Sequence, residues 1–253
     1  MVTPAIEFRD VSYNIAGTQV LSGLNLQVAR GETLVLLGRS GSGKTTTLKL
    51  VIQLASPTTG EILVNSVSNA STDIIQLRRS VGYVIQEVGL FPHFTVERNI
   101  GLVPRIEDWP EDRIRARVRE LLDLVGLGSD VALRYPHQLS GGQRQRVGVA
   151  RALAANPDLL LMDEPFGALD PLTRDELQRE FKALQQRLHK TVVFVTHDLC
   201  EALRLGSRIA LMEAGRLVTV LTPAEFLKSK DPLASAYLRA FDNALESADR
   251  STL

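Results

Sequence analysis

The segment Gly38-Arg39-Ser40-Gly41-Ser42-Gly43-Lys44-Thr45 is the stretch that decides how this chain folds. It fits the pattern G-x-x-x-x-G-K-[ST], follows the apolar run at residues 33–37 and precedes a stretch with helical spacing. A Gly-rich loop in that setting lets backbone N–H groups surround phosphate oxygens, and the helix N-terminus adds partial positive charge. The segment therefore predicts a phosphate-binding loop, in which Lys44 reaches the phosphates and the Thr45 hydroxyl coordinates Mg²⁺.

Composition limits the remaining classes of function. The chain has 253 residues, 44% of them hydrophobic, which suits one large or two small domains. Its formal net charge is zero, so nothing indicates bulk binding to nucleic acid or to an anionic membrane. The single cysteine, Cys200, excludes an internal disulfide and a Cys-based metal site. We expect no signal peptide, and no run approaches the roughly 18 apolar residues that span a bilayer, so a membrane role needs a partner.

Short apolar runs alternate with helical patterns along the chain, which predicts an α/β domain around a mostly parallel sheet. The first two strands, at residues 6–13 and 19–28, are expected to be antiparallel. Further strands are predicted at 33–37, 61–64, 81–85, 159–162, 191–195 and 209–212, and helices at 43–54 and 74–79.

The apolar strand runs stop between residues 87 and 156. Residues 112–125 have helical spacing, and a second helix is expected after Ser140. We therefore predict a helical subdomain at 87–156, a nucleotide-binding core at 1–86 and 157–241, and a polar, fraying tail at 242–253.

An acidic pair, Asp163-Glu164, ends the apolar run at 159–162. A buried parallel strand delivers its last residues to the crevice where ligands bind in open α/β sheets. There an Asp can hold Mg²⁺ and a Glu can activate water. Such a pair is more often a helix cap or a solvated loop, and the upstream phosphate loop favours the catalytic interpretation.

A second Gly-rich segment, Leu139-Ser140-Gly141-Gly142-Gln143, opens the predicted helix. Ser140 and Gln143 also fit a capping box, so an ordinary helix start is the alternative. Two adjacent glycines favour a phosphate-binding role over an ordinary helix start. A helix start does not need them and they cost backbone entropy, but they allow a phosphate to approach bare N–H groups.

Taken in order, these motifs resemble the ATP-binding cassette family over nearly the whole chain. The motifs that carry the resemblance are residues 38–45, Gln86, residues 139–143, Asp163-Glu164, Ala168-Leu169-Asp170 and His197. The resemblance implies a P-loop NTPase fold, with a RecA-like parallel sheet, antiparallel N-terminal strands and a helical subdomain. It also implies ATP and Mg²⁺ as cofactors.

The resemblance implies roles for individual residues in a head-to-tail pair of cassettes. ATP would contact Tyr13, stacked on adenine, and Gly38, Arg39, Ser40, Gly41, Ser42, Gly43, Lys44, Thr45 and Thr46. The other cassette would supply Ser140, Gly141, Gly142 and Gln143, with Asp170 at the dimer contact. Mg²⁺ would be held by Thr45, Gln86 and Asp163, and the catalytic residues would be Glu164, His197, Gln86 and Lys44.

Three of these residues have ordinary alternatives. Tyr13 alone is more often a sheet-edge aromatic residue, His197 a hydrogen-bonded histidine at a strand end, and Gln86 a turn residue. His197 gains support because it follows the strand at 191–195, on the sheet edge expected to carry Asp163.

Residues 83–100, with Val103-Pro104 and Trp109, look like the osmoprotectant or quaternary-amine importer branch of the family. The alternative is that this stretch is generic among cassette importers. Many members of the branch carry paired regulatory domains after the cassette, and with the chain stopping at 253 we expect no salt sensing through such domains. Trp109 is expected to be a packing or docking residue rather than part of a cation cage.

The expected partners are a second cassette, membrane permease subunits docked on the helical subdomain and, indirectly, an extracytoplasmic solute-binding protein. The expected location is the cytoplasmic face of the plasma membrane. Transport of another solute, or export, stays open. A P-loop phosphotransferase and a non-hydrolysing nucleotide switch are the alternatives from other classes.

Overall fold

The computed structural model describes residues 3–86, 89–167 and 169–250, with residues 244–250 described by backbone only. The strands are β1 (Ile6–Ile15), β2 (Thr18–Val28), β3 (Thr33–Gly38), β4 (Thr59–Val64), β5 (Val67–Ser68), β6 (Val81–Val84), β7 (Leu159–Asp163), β8 (Thr191–Thr196), β9 (Arg208–Glu213) and β10 (Arg216–Leu221). The α-helices are α1 (Lys44–Val51), α2 (Ile74–Ser80), α3 (Val96–Ile100), α4 (Leu102–Ile106), α5 (Glu111–Leu124), α6 (Gly141–Leu153), α7 (Pro171–Leu188), α8 (Leu199–Leu205), α9 (Pro223–Phe226) and α10 (Pro232–Arg250). Among the described helices, none has the length and apolar character needed to cross a bilayer.

Two sheets organise the chain. Strands β1, β2, β4 and β5 form an antiparallel sheet in the order β2-β1-β4-β5, and the other six strands form a sheet in the order β10-β9-β3-β8-β7-β6. In the larger sheet β3 pairs in parallel with β8 and β9, and β7 pairs in parallel with β6 and β8. The carboxyl ends of β3, β7 and β8 therefore meet at one edge.

Strand β3 is buried throughout and its side chains alternate between two cores. Val35 and Leu37 belong to the core shared with the helical block, whereas Leu34 and Leu36 belong to the core shared with the antiparallel sheet. Burial on both faces explains why this strand is a continuous apolar run rather than an alternating one.

The helical block predicted between the strands is present as α3 to α6, and within residues 89–156 the structure contains no strand. The predicted antiparallel start and the predicted strands of the central sheet are confirmed, and their ends differ from the predicted ones by no more than two residues.

Three expectations differ from the structure. Helix α1 ends at Val51 rather than near residue 54, because Gln53 has a left-handed backbone (φ 53°) and the N–H of Leu54 bonds back to the carbonyl of Lys49. Strand β10 was not expected, and it follows β9 through a tight turn at Ala214 and Gly215, both with positive φ. The tail expected to fray from Asp242 is helical as far as Arg250, and residues 251–253 lie outside the described residues.

Candidate functional site

The predicted phosphate loop joins β3 to α1, in the strand–loop–helix setting that the sequence indicated. Gly43, the residue before the helix, has φ 95°. A Cβ added there would lie 2.5 Å from Leu21 Cδ2 and 3.1 Å from the carbonyl oxygen of Val20. Only glycine fits, because both the left-handed backbone and the close approach of β2 exclude a side chain.

Lys44 is folded onto the loop itself. Its Nζ donates to the carbonyl oxygens of Gly38 (2.8 Å) and Arg39 (2.9 Å), and the residue is 5% exposed. Burial lowers the pKa of this ammonium group, while the nearby carboxylates of Glu164 and Asp163 oppose that shift. The loop thus carries a buried ammonium group whose hydrogen bonds within the described residues go to neutral carbonyl oxygens.

A cavity of about 730 Å³ lies beside this loop. Its walls come from the loop and α1, from the segments after β6, β7 and β8, and from β2 and α10. The lining residues are 39–46, Val20, Gln86, Glu164, His197, Leu233, Ala236, Tyr237 and Ala240. The predicted loop residues from Arg39 to Thr46, and the predicted Gln86, Glu164 and His197, are therefore brought together around one space.

Thr45 and Asp163 connect the loop to the end of β7. Thr45 Oγ1 donates to Asp163 Oδ1 at 2.8 Å, and Asp163 is 4% exposed. Burial raises the pKa of Asp163, and the negative charge of Glu164 adds to this, while the Thr45 hydrogen bond and the cations Lys49 and Lys44 oppose it. The folded apoprotein holds a carboxylate here at a cost in stability.

The residues present fit a phosphate group with Mg²⁺. A hydroxyl and a carboxylate oxygen in contact are the hard ligands that Mg²⁺ prefers. Ser42, which lines the cavity, is 3% exposed, and its Oγ has no hydrogen-bond partner among the described residues. A buried hydroxyl without a partner at a cavity wall is the expected trace of a polar ligand.

Glu164 and His197 face each other on the cavity wall. His197 Nδ1 lies 3.2 Å from Glu164 Oε2, and the Glu164 side chain is 21% exposed. Glu164 has φ 43°, a left-handed conformation that is uncommon for a residue with a side chain, and its N–H donates to the carbonyl of Val195 at 3.0 Å. Strained backbone of this kind persists where the surrounding structure enforces it, typically at functional sites.

The second Gly-rich segment forms the capping box that was its ordinary alternative. Ser140 Oγ accepts from the N–H of Gln143 at 3.2 Å, and Gln143 Oε1 accepts from the N–H of Ser140 at 3.0 Å. Packing also requires glycine at residue 142, because a Cβ added there would lie 2.7 Å from Thr173 Cγ2. A Cβ added at Gly141 would lie 3.7 Å from its nearest neighbour. None of these four residues is among the described residues that line the cavity.

Asp170 also lies away from the cavity lining. Its carboxylate caps α7 by accepting from the N–H of Thr173 at 3.1 Å, and this backbone hydrogen bond lowers its pKa. Ala168, in the predicted Ala168-Leu169-Asp170 segment, lies outside the described residues.

Tyr13 is not among the lining residues either. It is half-buried on β1, opposite Leu21 of β2, and packs against the core of the antiparallel sheet. Val20, the neighbour of Leu21, does line the cavity. Tyr13 is therefore close in the sheet to the cavity wall, and its predicted contact with adenine stays a prediction.

The wall formed by α10 was not predicted from the sequence. Tyr237 and Leu233 lie one helical turn apart and line the cavity, and they also enclose a smaller space beside residues 39–42. The signal was present at the helix start, where Asp231 precedes Pro232. The Asp231 carboxylate accepts from the N–H groups of Leu233 (2.9 Å) and Ala234 (3.0 Å).

The chain is similar to known proteins over most of its length. A family model described as "ABC transporter" matches residues 21–167, more than half of the chain. The choline transport ATP-binding protein OpuBA of Bacillus subtilis is 53% identical over 213 residues, which cover 84% of this chain and 56% of that protein. The glycine betaine uptake system ATP-binding protein YehX of Escherichia coli is 50% identical over 222 residues, covering 88% of this chain and 72% of that protein. The chain thus spans about half the length of the first of these relatives.

A solved structure of the ATP-binding cassette MJ0796, a dimer in a post-hydrolysis state bound to ADP and Pi, is 33% identical to this chain. It superposes with a TM-score of 0.77 and covers 86% of this chain and 98% of its own. The P-loop NTPase fold with a helical subdomain is thereby confirmed.

Proposed function

This chain belongs to the ABC transporter family, and from that premise we propose that it binds and hydrolyses ATP with Mg²⁺ to energise transport across a membrane. The observation that carries the proposal is the junction of three strand ends around one cavity. Thr45 meets Asp163 at 2.8 Å on one side, and Glu164 meets His197 within 3.2 Å on the other.

In this proposal the phosphates bind to the loop amides from Gly38 to Thr46, and the Ser42 hydroxyl, which has no partner in the described part of the chain, gains one. Lys44 must leave the carbonyl oxygens of Gly38 and Arg39 to reach the β- and γ-phosphates, which replaces two neutral acceptors by charged ones. Tyr13 is the proposed platform for adenine.

Mg²⁺ would be held by Thr45, Asp163 and Gln86 together with the phosphates. When bound, it neutralises charge on the phosphate oxygens of the nucleotide. The buried Asp163 carboxylate, whose pKa is raised by burial, is then compensated by a cation.

Glu164 is the proposed general base, which accepts a proton at its carboxylate from the attacking water. His197, in contact with that carboxylate, holds the water in line with the γ-phosphate, and Gln86 contacts it from the helical side. The left-handed backbone of Glu164 fixes the direction in which its side chain leaves β7.

We propose that the working unit is a dimer in which each cavity is closed by the other copy. The helix start at Ser140–Gln143 presents backbone N–H groups at its N-terminus, but it lies away from the cavity of its own chain. Asp170 would lie at the contact between the copies. The dimeric state of MJ0796 with ADP and Pi supports this arrangement.

The proposed cargo is an osmoprotectant or quaternary amine. OpuBA and YehX, named for choline transport and glycine betaine uptake, support this choice. Permease subunits would dock on the helical block, at the cytoplasmic face of the plasma membrane, and receive solute from an extracytoplasmic binding protein. That block exposes large apolar side chains suited to a docking surface: Phe91, Ile106, Leu133 and Tyr135.

The test is phosphate release from Mg-ATP by the purified chain, without any added acceptor. We expect turnover in the wild type, loss of nucleotide binding in Lys44→Ala, and retained binding with at least about a hundredfold lower turnover in Glu164→Gln. Glu61→Gln, which alters an exposed carboxylate on β4, is the matched control and should turn over normally.

The outcomes also separate the alternatives. Full activity in Glu164→Gln would contradict the assignment of the base. Phosphate appearing only on an added acceptor would indicate a phosphotransferase, and binding without turnover in the wild type a nucleotide switch. Uptake of labelled glycine betaine or choline in a deletion strain, restored by the wild type and not by Glu164→Gln, tests the cargo. Restored uptake of a different solute, or restored export, would contradict the proposed cargo or direction of transport and leave the ATPase assignment unaffected.

A further inference from the structure

A buried carboxylate outside the cavity lining, Glu201 on α8, lies next to the strand end that carries His197. It is 4% exposed. Burial raises its pKa, and hydrogen bonds from Thr196 and Gln178 together with the charge of Arg174 oppose that shift, whereas the nearby Asp198 carboxylate reinforces it. A carboxylate is costly to bury, and an apolar side chain of similar volume would fill the position at lower cost.

The first contact of this carboxylate links it to the residues on both sides of His197. Thr196 Oγ1 donates to Glu201 Oε2 at 2.5 Å, and the same hydroxyl oxygen accepts from the N–H of Asp198 at 3.0 Å. Thr196 and Asp198 flank His197 in sequence. The Glu201 carboxylate thus orients a hydroxyl that closes the turn in which His197 stands.

The His197 ring needs such support. Its side chain is 63% exposed, so packing restrains it little. The direction of the ring toward Glu164 Oε2 therefore depends on the backbone of the turn, and an error of about 1 Å in placing a catalytic group can cost on the order of a hundredfold in rate.

The second contact joins the same carboxylate to α7. Gln178 Nε2 donates to Glu201 Oε1 at 2.9 Å, and Gln178 is itself 4% exposed. Helix α7 begins directly after Asp170, and Arg174 in its first turns donates to the carbonyl of Leu169 at 3.0 Å. Glu201 therefore lies between the His197 turn and the helix that starts at the proposed dimer contact.

We propose that Glu201 is a positioning residue for His197, holding the turn at residues 196–198 in the orientation that directs the imidazole to Glu164 and tying that turn to α7. The proposal rests on the proposed function in assigning His197 a part in hydrolysis. Glu201 is not among the described residues that line the cavity.

Two variants of Glu201 separate positioning from folding. Glu201→Leu keeps the approximate volume and removes both acceptors, whereas Glu201→Gln keeps one acceptor for the Thr196 hydroxyl. Glu32→Gln is the matched control, because Glu32 is also a buried carboxylate (8% exposed), hydrogen-bonded to Arg208 and remote from the cavity. We expect kcat to fall by about tenfold in Glu201→Leu and less in Glu201→Gln, with KM for ATP within about twofold of wild type. Glu32→Gln should keep the wild-type kcat.

A double-mutant cycle with His197→Ala gives the decisive readout. If Glu201 acts through the imidazole, Glu201→Leu should change kcat by less than about twofold once His197 is absent. An equal, roughly tenfold fall in both backgrounds would overturn the proposal, and so would an unchanged kcat in folded Glu201→Leu and Glu201→Gln.

The imidazole resonances report on positioning without reference to catalysis. The chain has four histidines, so the His197 signal is identified by its loss in His197→Ala. It should shift in Glu201→Gln and stay in place in Glu32→Gln; an unshifted signal in both would contradict the positioning role. If His197→Ala retained full ATPase activity, the proposed role of His197 would fail, while this spectrum would still decide whether Glu201 positions the ring.

Discussion

Replacing Asp163 by Asn should make the nucleotide-free protein more stable while removing its response to Mg²⁺. Asp163 is 4% exposed and its pKa is raised, chiefly by burial, so its charge is a net cost in the absence of a cation. Asn carries no charge and keeps an oxygen that can accept the hydrogen bond from Thr45 Oγ1, which is 2.8 Å long in the wild type. We expect the free energy of unfolding at pH 7 to rise by about 1 kcal/mol, which for a chain of this size raises Tm by about 3 °C.

The pH dependence of this gain has a defined sign. A carboxyl whose folded pKa lies above its unfolded value binds its proton more tightly when folded, so it favours folding at low pH and disfavours it as pH rises. The gain should therefore be near zero below the ordinary Asp pKa of about 3.9 and complete once the pH exceeds the raised folded pKa.

The assay is thermal unfolding with a non-hydrolysable ATP analogue, with and without Mg²⁺. A ligand at about 100 times its Kd adds about 2.7 kcal/mol to the wild type, and the Mg²⁺-dependent part of that gain should vanish in Asp163→Asn. Asp158→Asn is the control, since Asp158 stands just before the opposite end of β7 with its side chain 83% exposed, and it should change stability by less than about 0.5 kcal/mol. A less stable apo Asp163→Asn, or one that keeps the full effect of Mg²⁺, would refute the reasoning.

Three further changes test local claims. Gly43→Ala should lose at least about 2 kcal/mol of unfolding free energy, because its Cβ would meet Leu21 at 2.5 Å. Gly17→Ala, at φ 81° with nothing within 4 Å, should lose only about 1 kcal/mol, the cost of its left-handed backbone. Equal losses in the two variants would contradict the clash between the new Cβ and Leu21. Gly142→Ala should lower the unfolding temperature through contact with Thr173 at 2.7 Å, while Gly141→Ala, at 3.7 Å, should fold normally, and a stable Gly142→Ala would show that α6 and α7 can separate at no cost. Tyr237→Ala should weaken binding of a fluorescent ATP analogue by about 1 kcal/mol, with the exposed Tyr135→Ala as control, and unchanged affinity would remove α10 from the nucleotide site.

The parts of the site that follow strands were predictable from the sequence. Asp163 and His197 come at the ends of buried apolar runs, and Lys44 ends the loop that follows another such run; parallel strands bring their carboxyl ends to one edge. Local pattern and sheet geometry together therefore predicted that these residues lie close together, and the structure has Lys44 and His197 at one cavity, with Asp163 beside it in contact with Thr45.

The parts that depend on contacts between distant segments were not predictable. No local signal shows that Gly142 must be small to admit Thr173, and the capping box at Ser140 looks the same whatever lies across from it. The wall formed by Tyr237 depends on how α10 packs, although the start of that helix was marked by Asp231 and Pro232. The polar composition of residues 242–253 predicted fraying, but residues 242–250 contain neither Gly nor Pro to interrupt a helix and continue α10.

If one chain's phosphate loop is completed by Ser140–Gln143 of a second copy, mixing two inactive variants should restore ATPase activity. Lys44→Ala disables the loop and Ser140→Arg blocks the helix start, so each should lack ATPase activity alone. In a mixed dimer one cavity combines the intact Lys44 of one chain with the intact Ser140 of the other. Random pairing then predicts recovery of about a quarter of the wild-type rate. A mixture no more active than its two components would contradict completion of the loop by a second copy.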